Sequence, residues 1–185
     1  RRDARMRQFL DRAKEAGVSE TTMKSALATI AAAGINDGEQ IDIHVRAAKD
    51  EAGYLIDLCD EQWRAVVVTP TGWQVLDRSP AYFTRTQSMR PLPEPQRGGD
   101  IGLLWRHTNI PGNRRVMVLT WLLDSFRPDT PFPVLELVGE QGSAKSTTQA
   151  VLRSLVDPNK VMLRGRPKTV EDIFVAAANN WLVSY

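Results

Sequence analysis

The chain is organised around Pro133-Val-Leu-Glu-Leu-Val-Gly-Glu-Gln-Gly-Ser-Ala-Lys-Ser-Thr147. Residues 133–138 are a nearly continuous apolar run, suited to a strand covered on both faces. The run enters a glycine-rich turn, and the pattern after it predicts a helix over 145–156. Against the phosphate-binding pattern G-x-x-x-x-G-K-[ST], the turn matches at Gly139, Lys145 and Ser146, with Ala144 where the second glycine is usual. Glycines let backbone N–H groups close around an anion, and the helix that follows adds the positive end of its dipole. Lys145 has the reach and charge for β- and γ-phosphates, and the Ser146 hydroxyl can ligate Mg²⁺. The candidate nucleotide-binding residues are therefore Gly139, Gln141, Gly142, Ser143, Ala144, Lys145, Ser146 and Thr147, with ATP and Mg²⁺ as cofactors. A methyl group at Ala144 is harmless if its φ is negative, as expected on entering a helix. Gly142 adds a flexible point inside the loop.

Downstream, a short strand is expected at 161–163, a helix at 169–178 and an apolar strand at 181–185. With the first strand and helix this order is β-α-β-α-β, the frame of a parallel α/β sheet. P-loop ATPases hold Mg²⁺ and activate water through an acid at the end of a neighbouring apolar strand. Residues 180–185 are the natural candidate for that strand, and they contain no acid. Glu171 and Asp172 fall at a helix start, where acids favour the dipole. No catalytic residue is assigned in this chain, which reads as an ATP-binding fragment without hydrolytic competence of its own.

Upstream, residues 101–105 read as a short helix and 114–126 as a longer one, with Val116, Leu119, Leu122, Leu123 and Phe126 on or near one face. Residues 91–100, rich in proline and glycine, cannot continue a helix or central strand and read as a linker. From 38 to 90 the period is two. Ile41, Ile43 and Val45 alternate with Asp42, His44 and Arg46, as in a half-buried strand. Residues 49–53 form a turn before a strand at 54–58, and Pro70-Thr71-Gly72 joins 64–69 to 73–77 as a hairpin. These four segments make an antiparallel meander, in which Trp63 and Trp73 are packing residues rather than a base-stacking platform. Residues 1–37 read as two helices, one carrying Met6, Phe9, Leu10 and Ala13, the other capped by Ser19 and running through Met23, Ala26, Leu27 and Ile30 to Gly34. Such a pair packs on a neighbour more often than it reads DNA. Residues 101–185 thus form a helical lead-in plus the first part of an ATPase domain.

Bulk properties set the frame. The chain has 185 residues, 42% apolar and 25% charged, as in a soluble globular protein. No apolar run is long enough to span a membrane, no apolar run follows the Arg-rich start, and a cytoplasmic protein with no membrane partner is the default expectation. One cysteine, Cys59, and two distant histidines, His44 and His107, allow neither a disulfide framework nor a zinc cluster. Cys59 reads as a strand residue without a redox role. A net charge of +2 does not argue for nucleic-acid binding. Basic residues nevertheless recur in 1–14, 85–115 and 153–168, either as solvated faces or as a phosphate-backbone track.

At residues 139–147, at Leu155-Val-Asp-Pro158 and at Ala176-Ala-Ala-Asn-Asn-Trp181 the sequence resembles mobile-element and prophage P-loop ATPases. These are related to the poxvirus-type primase–helicases and hence to the superfamily 3 helicases, of the AAA+ class. Tyr54-Leu-Ile-Asp-Leu, Trp63-Arg-Ala-Val, Gly72-Trp-Gln-Val and Pro91-Leu-Pro-Glu-Pro95 carry the likeness upstream, so that it spans about residues 40–185. The resemblance implies that alanine at 144 is tolerated. It further implies a homo-hexameric ring that moves along DNA using ATP, with a primase or replication-initiation module elsewhere in the full protein. It places the Mg²⁺-holding acid directly after Tyr185, and a sensor residue and an arginine finger further on. The expected function is the ATP-binding part of a DNA helicase or replication ATPase. The alternatives are a nucleotide-switched DNA-binding or regulatory module and a P-loop kinase-type transferase.

Overall fold

The computed structural model describes Arg12, residues 19–131 and residues 133–185. The chain divides into two compact units, Arg1–Ile41 and Asp42–Tyr185. The helix expected around Met6–Ala13 lies outside the described residues.

In the first unit, α1 (Glu20–Asp37) starts at Ser19, whose Oγ accepts the Thr22 amide at 3.1 Å. The helix was expected to end at Gly34 but continues to Asp37, and the Gly38 amide donates to Gly34 O at 3.2 Å. A glycine inside a helix costs about 1 kcal/mol against alanine, which one residue can impose without ending an 18-residue element. No residue of α1 is buried.

The second unit begins with β1 (Ile43–His44) and the antiparallel meander β2 (Ala47–Lys49), β3 (Tyr54–Asp57), β4 (Ala65–Thr69) and β5 (Gly72–Leu76), in spatial order β2-β3-β4-β5. Thr69 pairs with Gly72 across the hairpin turn at Pro70-Thr71. β6 (Tyr82–Phe83) returns to pair in parallel with β1, a two-stranded ladder with no sequence signal. Ala48, Leu55 and Val67 form the core of this module, flanked by Leu76, Ala81 and Phe83.

Three expectations need correction here. Arg46 was placed on the polar side of an alternating strand, with Ile41 and Ile43 inward. Arg46 is fully buried instead, while Ile43 is exposed. Its guanidinium is compensated: Nε and Nη2 donate to Asp157 Oδ1 at 3.1 and 3.0 Å, Nη1 to Asp57 O at 3.2 Å and Nη2 to Arg90 O at 3.1 Å. Cys59 lies beyond β3 rather than in a strand, with φ of 55°. Burial pushes its thiol pKa up, against the nearby guanidinium groups of Arg46 and Arg85. Trp63, also left-handed at φ 63°, is half-exposed with the Arg85 guanidinium 3.9 Å above its ring. Arg85 is held in turn by both carboxylate oxygens of buried Asp57.

The remainder comprises α2 (Gly102–Arg106), a 3₁₀ turn (Gly112–Arg114), α3 (Arg115–Asp124), α4 (Lys145–Val156) and α5 (Val170–Asn179). The buried face of α3 is Val118, Trp121 and Leu122; Val116 and Leu123, expected inward, are exposed. Two anchors set this rotation. Trp121 Nε1 donates to Pro133 O at 2.7 Å, and Trp181 Nε1 donates to Ser125 O at 2.6 Å. Leu104, Ile110, Val118, Trp121, Leu122, Leu152, Val156 and Leu182 make the core. α5 is closed by a capping box in which Thr169 Oγ1 accepts the Asp172 amide and Asp172 accepts the Thr169 amide.

Residues 133–138, 161–163 and 181–185, read above as parallel strands, carry no strand pairing among the described residues. Leu135 and Leu137 are half-buried, whereas Val134 and Val138 are 95% and 84% exposed. Only one face of the first segment has cover, and a strand apolar on both faces needs it on both. One backbone bond, Arg164 N–H to Ser184 O at 2.9 Å, links the neighbourhoods of the second and third segments.

Candidate functional site

Residues 139–144 form the turn that leads into α4. Ser143 N–H closes it on Glu140 O at 3.3 Å, and Thr148 N–H makes the first helical bond to Ala144 O at 2.9 Å. The amides of Lys145, Ser146 and Thr147 thus belong to the opening turn, whose N–H groups have no acceptor within the helix. Gly142 has φ of 83°. At Gly139 an added Cβ would lie 2.8 Å from Ser143 Oγ, so a side chain there would require the Ser143 hydroxyl to turn away.

Lys145 is drawn back over its own loop. Its Nζ donates to Gly139 O at 2.7 Å, to Glu140 O at 2.6 Å and to Ser143 Oγ at 3.3 Å. The ammonium is therefore fixed at the centre of the turn, while Ser146 and Thr147 are exposed beside it.

Ala144 departs from expectation. It was read as having negative φ, yet it has φ 58° and ψ 25°, the left-handed region. A Cβ in that conformation crowds the following carbonyl at a cost of about 1–2 kcal/mol. The turn must reverse direction between Gly142 and Lys145, and the reversal falls on a residue with a side chain. The glycine of the phosphate-binding pattern has a steric reason at this position.

Two residues outside the motif tether the loop, and neither was singled out from sequence. Asn109 Nδ2 donates to Ser143 O at 3.1 Å, and its amide donates to Thr148 Oγ1, also at 3.1 Å. Thr148 is buried. Gln149 Nε2 donates to Tyr185 O at 3.0 Å, bringing the end of segment 181–185 to the second turn of α4. These contacts span 34 to 39 residues of chain and leave no local signature.

The far end of α4 is fixed by buried polar groups. Arg153, 1% exposed, donates to Met162 O at 2.9 Å and to Asn180 Oδ1 at 3.3 Å. Burial lowers its guanidinium pKa, and Asp157 opposes that shift. Asn180 Oδ1 also accepts from Asn159 Nδ2 at 3.0 Å, and Asp157 Oδ2 accepts the Leu182 amide at 3.2 Å. Asn159 and Asn180 fall within or beside stretches quoted above for the family likeness. Here they join the end of α4 to the end of α5.

Residues 101–185 match the family model described as actinomycete integrative conjugative element replication protein. The match covers just under half the chain and supports a role in replication of a mobile element. No curated protein and no solved structure matches the chain significantly. No helix among the described residues is long and apolar enough to cross a membrane.

Proposed function

We propose that residues 139–147 bind the phosphates of ATP, and that this chain is the ATP-binding part of a DNA helicase or replication ATPase of a mobile element. The observation that carries this reading is the position of the Lys145 ammonium. It is held by the carbonyl oxygens of Gly139 and Glu140 inside a tight turn that opens a twelve-residue helix. A cation and the opening amides of a helix gathered on one loop favour a polyanion.

In this reading the amides of 141–145 hold phosphate oxygens, Lys145 supplies charge, and the Ser146 hydroxyl, with Thr147 beside it, would ligate Mg²⁺. A Mg²⁺ ion held there would supply neutralisation of the phosphates' negative charge. Binding requires the Lys145 ammonium to exchange loop carbonyls for phosphate oxygens, stronger acceptors because they are ionised. Asn109 keeps the loop in register through Ser143 while this exchange occurs.

The first test is Lys145→Ala, read by titration with a fluorescent ATP analogue and Mg²⁺. Affinity should fall at least about tenfold, equal to about 1.4 kcal/mol; an unchanged affinity rejects the assignment. For the helicase step the readouts are DNA-stimulated ATP turnover and ring formation by the full-length protein. Absence of both rejects that part.

A further inference from the structure

Ser143 is the fixed point of the phosphate loop. Its amide donates to Glu140 O at 3.3 Å, its hydroxyl accepts from Lys145 Nζ at 3.3 Å, and its carbonyl accepts from Asn109 Nδ2 at 3.1 Å. Around it the loop is open. Of the amides of residues 141–147, that of Ser143 alone donates to an acceptor among the described residues. Two of the three bonds at Ser143 stay within the loop. The third comes from a separate part of the chain, the stretch between α2 and the 3₁₀ turn.

Asn109 is anchored by its backbone, independently of its side chain. Its amide donates to the hydroxyl of buried Thr148 at 3.1 Å, and the next residue, Ile110, sits in the core. The side chain is exposed and reaches out to Ser143 O. A carboxamide aimed from a fixed backbone at one loop carbonyl sets the orientation of that peptide. The 143–144 bond is trans, so the Ala144 N–H points away from the side on which the Ser143 carbonyl meets Asn109. Ala144 is also the left-handed residue at which the chain turns into α4. A flip of this peptide would exchange the carbonyl and the amide, setting an oxygen where the loop otherwise offers a donor.

We infer that Asn109 is a positioning residue of the nucleotide site: by holding the Ser143 carbonyl it keeps the Ala144 N–H turned toward the phosphate chain of ATP. The inference rests on the ATP-binding reading of residues 139–147 and deepens it. Asn109 touches no phosphate itself and acts through the 143–144 peptide. A carbonyl oxygen turned on a polyphosphate repels it, whereas an amide donates to it. The effect therefore falls on the phosphates and not on the rest of the nucleotide.

The test is Asn109→Ala in the full 185-residue chain, titrated with the fluorescent ATP analogue and Mg²⁺ and in competition with inorganic tripolyphosphate. The backbone keeps its anchor at Thr148, so the urea midpoint should stay close to the parent's. Affinity for both probes should fall by a common factor, about threefold or more. Asn109→Gln, which keeps the donor, should recover part of the loss. Nuclear magnetic resonance separates positioning from mere structure. Saturating tripolyphosphate should shift the Ala144 amide resonance in the parent and shift it much less in Asn109→Ala, with the Thr148 amide resonance equal in the two. If Lys145→Ala weakens ATP binding and Asn109→Ala does not, the proposal is overturned while the nucleotide reading stands. If neither variant changes it, both fall. A loss confined to the ATP analogue, with tripolyphosphate bound as before, also overturns the proposal. So does a loss that comes with a lowered urea midpoint and a displaced Thr148 resonance, which assigns Asn109 to the fold alone.

Discussion

At Ala144 a side chain occupies a backbone conformation in which its Cβ is crowded, φ 58° and ψ 25°. Glycine relieves that crowding, worth about 1–2 kcal/mol, and returns part of it through the greater freedom of the unfolded chain. Ala144→Gly should therefore raise stability by about 0.5–1 kcal/mol, and Ala144→Val should lower it, measured by urea unfolding. A Gly variant less stable than the parent would show that the left-handed geometry is wrong. The sequence pattern pointed to the position but not to its conformation. The pattern records which residue is usual, whereas φ at 144 is set by where the chain must turn to meet the first helical bond at Thr148.

Among the elements, the turn between β3 and β4 is held by a carboxylate. Asp60 Oδ1 accepts the Arg64 amide at 3.0 Å and Oδ2 accepts Arg64 Nε at 2.6 Å. Burial works against ionisation of Asp60, but the hydrogen bonds from Arg64 outweigh it, and the carboxyl pKa lies below its ordinary value. A lowered folded pKa stabilises fully above the unfolded value of about 3.9, and the contribution disappears as pH falls through the folded value. Asp60→Asn should flatten the loss of stability between about pH 5 and pH 2, followed by urea midpoints; an acid limb as steep as the parent's would contradict it. Elements of this local kind were legible. The 70–72 hairpin, the capped start of α1 and the whole of α4 follow from turn residues, caps and periodicity within a dozen positions. The facing of α3 was not, because Trp121 and Ser125 take their partners from Pro133 and Trp181.

At the scale of the second unit, a buried ion pair joins the segment before β2 to the end of α4. Arg46 and Asp157 are both fully buried, 111 residues apart. That separation is why Arg46 read as a solvent-facing residue: nothing near it in sequence announces a counter-charge. Removing one member of such a pair leaves an uncompensated buried charge and costs about 3–5 kcal/mol. Arg46→Met should lose that much in urea unfolding. Arg46→Met/Asp157→Asn should lose less than the single change, since the amide still accepts from Leu182 and carries no charge. A double variant worse than Arg46→Met would mean that the pair is not the joint described here.

The same joint bears on where the protein can be divided. The Pro-rich stretch before Ile101 looks like a seam, and the family match begins there. Yet Arg90 N–H reaches across to Pro158 O at 2.9 Å, Lys160 N–H to Ser88 O at 2.8 Å, and Arg46 to Asp157. A chain begun at residue 101 would deprive the end of α4 of the Arg46 guanidinium and leave the Asp157 carboxylate buried without that ion-pair partner. The replication-family segment therefore borrows part of its own interior from the strands that precede it.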